Sequence, residues 1–110
     1  MNISDFQETN ENRGRRWHQG DLQQWTLLEW AGAMAGEAGE ACNSAKKLRR
    51  IQSLNCIPAT EKLRMQVAKE VADVIIYGML IFSILEIDAE EIIRQVFNKK
   101  SEEYGFPERL

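Results

Sequence analysis

The chain is 110 residues long, which leaves room for one domain and one modest core, and its 44% hydrophobic and 28% charged residues exclude a disordered or fibrous protein. A net charge of -3 gives no general attraction to nucleic acid or anionic lipid, and two cysteines are too few for a disulfide framework. No secretory leader pattern opens the sequence, and the longest apolar run, Val74 to Leu85, is about half of a bilayer span, so a cytoplasmic protein with no membrane role is expected.

A single domain over residues 1–110 is expected, built from four helices with no strand signal and no repeat. Ser4 with Gln7 has capping-box spacing and predicts a first helix reaching about Trp17, broken by His18, Gln19 and Gly20. Asp21 with Gln24 repeats the signal and predicts a second helix from Leu22 to about Arg50, whose basic last turns suit the negative end of the helix dipole. Ser53 to Thr60, SLNCIPAT, reads as a loop. Thr60 then caps a third helix running to about Glu86, followed by a short turn at Ile87 and Asp88. Asp88 with Glu91 opens a fourth helix that turns Ile92, Ile93, Val96 and Phe97 inward and stops at Tyr104 before Gly105. The fold class is all-α, a four-helix bundle-like protomer. Because Val74 to Leu85 is apolar nearly all round, the third helix is expected to be the most buried, with a second copy covering the face that one small bundle leaves open. A homo-oligomer, dimer or tetramer, follows.

Chemistry concentrates in two acidic pairs. Glu37 and Glu40 are three apart, as are Glu70 and Asp73, and residues three apart on a helix sit about 60° from each other around the axis. An acidic pair on a helix is ordinarily a solvated surface feature. Here Glu70 directly precedes Val71 and Asp73 precedes Val74, so the second pair borders the apolar part of its helix. If the two faces pack together, four carboxylates converge, and a pair at roughly 5 to 6 Å with an effective dielectric near 20 repels by about 3 kcal/mol. Divalent cations remove that penalty, and an all-carboxylate set suits magnesium or manganese better than zinc or copper. A di-iron bundle would want a histidine three residues after a glutamate, where Glu40 and Asp73 stand.

Around the first pair, Ala31 to Gly39 is a run of alanine and glycine interrupted by Met34 and Glu37, which lets a facing backbone or ligand approach closely. Trp30, Asn43 and Lys47 share the side of the acids, and Tyr77 follows Asp73 by four. Trp30 and Tyr77 read equally as packing residues or as partners for a base and sugar. His18 reads as a surface or capping residue, Cys42 as a small buried one, and Trp17 and Trp25 as core.

The motif Glu37-x-x-Glu40, a spacer, then Glu70-x-x-Asp73 resembles the signature of the MazG-like nucleoside triphosphate pyrophosphohydrolases, an all-α superfamily. The stretches EWAGAMAGEAGEACNSAKKLRR and FNKKSEEYGFPERL are similar to short single-domain members, so the likeness spans about residues 25 to 110. The resemblance implies that Glu37, Glu40, Glu70 and Asp73 bind magnesium, which holds a triphosphate and activates water for attack at the α-phosphorus, giving a nucleoside monophosphate and pyrophosphate. It also suggests Lys46 or Lys47, and Asn98 with Lys99 or Lys100, as phosphate contacts. The spacer between the pairs is slightly longer than in many members. One glutamate of the first pair, Glu37 or Glu40, can take the proton from the attacking water. Two rival functions stand beside the enzyme: a helical module that binds nucleotide or metal without hydrolysis, and an interaction scaffold using the basic clusters Arg13, Arg15, Arg16 and Lys46 to Arg50. The negative net charge weighs against nucleic acid as a partner.

Overall fold

The computed structural model describes residues 1–110 as four α-helices, α1 (Ile3–Trp17), α2 (Leu27–Gln52), α3 (Ile57–Ile84) and α4 (Ala89–Tyr104), with a short 3-10 turn at Leu22–Gln24 and no strand. No helix is long and apolar enough to cross a membrane. Two compact units make up the chain: Met1–Gln24 with Met79–Leu110, and the continuous stretch Trp25–Gly78.

In the first unit, the cap of α1 is Asn2 rather than Ser4, its side chain accepting from the Asp5 amide at 2.8 Å. Gln7, expected to complete the box with Ser4, is drawn into a longer-range task. Its Nε2 donates to the Ile87 carbonyl at 2.8 Å, and its Oε1 accepts from the Ala89 amide at 2.9 Å. One side-chain amide thereby satisfies both orphan backbone groups at the corner between α3 and α4. Gly14 allows close approach: a Cβ there would stand 2.9 Å from Leu80 Cδ2 and 3.0 Å from Leu22 Cδ2. His18 closes α1, as expected, donating its amide to Gly14 and Arg15. Trp17 departs from the expected core position, being 77% exposed with the Arg13 guanidinium over its ring at 5.6 Å.

Asp88 caps α4 by accepting from the Glu91 amide at 3.0 Å. Gly105 ends the helix in the left-handed region, φ 70°, and the Phe106 amide returns to the Ser101 carbonyl at 2.8 Å. The corner before α4 has no glycine, and Glu86 takes φ 57° there. Ile92, Ile93, Val96 and Phe97 do not form a closed inner face. With Phe82 and Lys100 they line an open depression of about 470 Å³, and Val96 and Phe97 are exposed.

The second unit begins with a reciprocal cap. Thr26 Oγ1 accepts from the Glu29 amide at 3.1 Å while Glu29 Oε1 accepts from the Thr26 amide at 3.2 Å. That box starts α2 five residues later than the expected Leu22. Asp21 instead accepts from the Gln23 amide at 2.8 Å and holds the 3-10 turn. The expected loop is also shorter. α3 opens at Ile57 with Pro58 as its second residue, a position where the missing N–H goes unused. Thr60 therefore lies inside the first turn, its hydroxyl donating to the Cys56 carbonyl at 2.8 Å rather than capping. The interior of this unit centres on Trp30, 1% exposed, with the Trp25 ring at 4.6 Å and the Tyr77 ring at 6.2 Å. The apolar residues of α3 are not uniformly covered: Val71 and Ile75 are 45% and 52% exposed.

Candidate functional site

All four acids lie in the second unit, two on α2 and two on α3. Glu37 is half-buried, Glu40 and Asp73 are exposed, and Glu70 is buried at 7% exposure. The proton affinity of Glu37 is raised above its ordinary value. Loss of hydration is the largest cause, followed by the charge of Glu40, the charge of Asp73, a hydrogen bond with Glu40 and the charge of Glu70. Each of the other three acids thus reaches Glu37 electrostatically.

None of the four has a basic partner. The ion pairs of the chain are Arg15 with Glu11, Arg64 with Glu61, Arg94 with Glu90 and Glu91, and Lys100 with Glu103. Glu70 is the most constrained of the four. Its Oε1 accepts from Ser44 Oγ at 3.1 Å and from Gln66 Nε2 at 2.9 Å, while its Oε2 is buried with no hydrogen-bond partner. As the side chains stand, no group of three or more His, Cys, Asp or Glu is arranged to hold a metal ion.

No protein-family profile matches the chain, and neither a curated protein nor a solved structure matches it.

The remaining expected contacts fall in several places. Tyr77 is half-buried on α3, four residues beyond Asp73, and packs on Trp30, which lies on the acids' side of α2 but inside the protein. Asn43 and Lys47 are exposed on α2. Lys46 is carried about 180° round α2 from Glu37, where with Arg49, Arg50 and Ser53 it lines a shallow basic pocket of about 360 Å³. Asn98 and Lys99 belong to the first unit. The side chain of Asn98 is engaged by the last residue, its Oδ1 accepting from the Leu110 amide at 2.8 Å and its Nδ2 donating to the Leu110 carbonyl at 3.4 Å. Lys99 is exposed.

One further expectation needs correction. Cys42 is exposed rather than buried, because its helical position turns it away from Glu37 and toward the glycine side of α2. On that side Gly32, Gly36 and Gly39 have open space where a Cβ would go, so within one chain no backbone uses the approach they permit. Conversely, sequence reasoning overlooked Ser44 and Gln66. The signal for both was present in the spacing: Ser44 is four residues past Glu40 and Gln66 four before Glu70, each on the side of its acid.

Proposed function

We propose that this chain is a magnesium-dependent nucleoside triphosphate pyrophosphohydrolase of the MazG-like kind. It converts a standard or modified (deoxy)nucleoside triphosphate to the monophosphate and pyrophosphate, and works in the cytoplasm as a homo-oligomer, dimer or tetramer. The observation that carries this reading is the coupling of Glu37 to Glu40, Asp73 and Glu70, four acids from two helices with no cation to balance them. Self-repulsion without compensation destabilises a fold unless a ligand relieves it, and carboxylate oxygens alone suit a hard divalent ion. The orphaned Oε2 of Glu70 fits that donor set, since a buried acceptor without a partner is costly unless something binds it. The exposed apolar residues Val71 and Ile75 support a covering copy, and the two exposed free cysteines suit a reducing compartment.

Glu37, Glu40, Glu70 and Asp73 would hold the cation, with magnesium or manganese as the candidates. A divalent ion held there would supply positive charge to offset that of the phosphates and would lower the pKa of water toward neutrality. Either Glu37 or Glu40 would accept a proton from the attacking water. Tyr77, half-buried four residues beyond Asp73, would meet the nucleoside, and Trp30, itself buried, packs against its ring. Lys47, on the acids' side of α2, meets the phosphates. No side chain need act as a nucleophile.

A nucleotide panel scored for pyrophosphate against free phosphate tests the reading. Release of pyrophosphate from at least one nucleotide with magnesium, lost in Glu40→Gln and in Asp73→Asn while helical content is kept, is the expected result. Full activity in both variants refutes it. Tight nucleotide binding with no turnover across the panel would instead assign a non-hydrolytic binding module.

A further inference from the structure

Glu70 differs from the other three acids in having two donors on one oxygen and none on the other. Ser44 Oγ and Gln66 Nε2 both reach Oε1, at 3.1 and 2.9 Å, which occupies its two acceptor directions. Oε2 is buried without a partner. The two donors arrive from different elements, Ser44 from α2 and Gln66 from one turn earlier on α3, so together they fix the rotation of the carboxylate as well as its position. Ser44 is itself only 7% exposed, which keeps water from competing for its bond, whereas Gln66 is exposed.

We infer that Ser44 and Gln66 are positioning residues that make Glu70 a one-oxygen ligand and thereby set the preference of the acidic site for a small six-coordinate cation over calcium. The inference rests on the proposed metal-dependent function. Its chemistry follows from ion size. Calcium takes six to eight oxygens and readily accepts both oxygens of one carboxylate, whereas magnesium and manganese take six in near-octahedral array and bind a carboxylate through a single oxygen. With Oε1 engaged by two protein donors, Glu70 has only Oε2 to give. Removing either donor frees one acceptor direction of Oε1, so the larger ion gains a ligand as the smaller one loses an oriented one.

The test is manganese binding to the whole metal-free chain, followed by electron paramagnetic resonance, with calcium as competitor. Wild type is compared with Ser44→Ala, Gln66→Met and Glu40→Gln. Loss of a group that orients a metal ligand weakens binding about 10- to 100-fold, so Gln66→Met and Ser44→Ala are each expected to bind manganese at least about tenfold more weakly. Both are expected to bind calcium as well as wild type or better, narrowing the manganese preference. Equal weakening for both ions, or no change for either, overturns the inference while leaving the metal-dependent reading intact. Absence of manganese binding in wild type, or binding undiminished in Glu40→Gln, overturns that reading and the inference with it. Should Ser44→Ala fail to fold because its site is buried, Gln66→Met at an exposed position decides alone.

Discussion

Replacing Trp30 by alanine separates its two sequence readings, core pillar and nucleobase platform. The side chain is 1% exposed and the largest fully buried one in the chain, with ring contacts at 4.6 Å to Trp25 and 6.2 Å to Tyr77. Truncating a buried tryptophan costs about 3 to 5 kcal/mol, a range that already contains roughly 0.5 to 1.5 kcal/mol for each well-formed ring pair. A domain of this length holds about 5 to 15 kcal/mol in total, so the loss is between a fifth and all of it. At about 4 °C per kcal/mol, the melting temperature should fall by roughly 12 to 20 °C. Urea unfolding followed by far-UV circular dichroism measures this directly, with Trp30→Phe as the control that keeps most of the ring packing. A Trp30→Ala variant within about 1 kcal/mol of wild type, coupled with weakened nucleotide binding, would show that the residue serves ligand rather than core.

Further outcomes follow from individual sites. Thr26→Ala removes one half of the reciprocal cap and should cost about 1 kcal/mol in the same unfolding experiment. Gly36→Ala should stabilise the chain by up to about 1 kcal/mol, since a Cβ there meets nothing within 4 Å and alanine is the better helix former; destabilisation with a change of elution volume would show that another copy covers the site. The raised proton affinity of Glu37 means that the folded state binds its proton more tightly than the unfolded state does. The metal-free protein should therefore lose stability as pH rises from the ordinary carboxyl value of 4.5 through the raised one, and Glu37→Gln should flatten that part of the melting profile. A profile unchanged by the substitution would refute the coupling.

What the sequence made legible was local. Asp88 with Glu91, and Gly105 after Tyr104, were read correctly because a cap is decided by a few neighbouring residues. Ser4 with Gln7 and Asp21 with Gln24 have the same spacing and mislead for different reasons: Gln7 goes to a corner eighty residues away, whereas Asp21 takes the Gln23 amide and holds a short 3-10 turn. Thr26 with Glu29 was the better box, combining a hydroxyl with a carboxylate, and Pro58 marked a helix start that Thr60 obscured. Facing of the acids within each helix followed from a period of 3.6 residues. The burial of Glu70 and the exposure of Trp17 and Cys42 depend on which helix surfaces meet, and one chain's residue order does not encode that in any local pattern; spacing puts Ser44 and Gln66 on the acids' sides of their helices, but that both donate to the same oxygen of Glu70 also depends on that meeting.

The Gln7 staple carries a consequence for how the polypeptide is made. Ala89, which donates to it, stands 82 positions downstream, and the unit that both belong to is split between residues 1–24 and 79–110. The stretch from Trp25 to Gly78 has every internal contact available as soon as it has left the ribosome, whereas α1 must wait until residues 79–110 have been made. These two distant segments thus finish together, and slowing elongation beyond residue 79 should lengthen the interval in which α1 is open to chaperones and proteases.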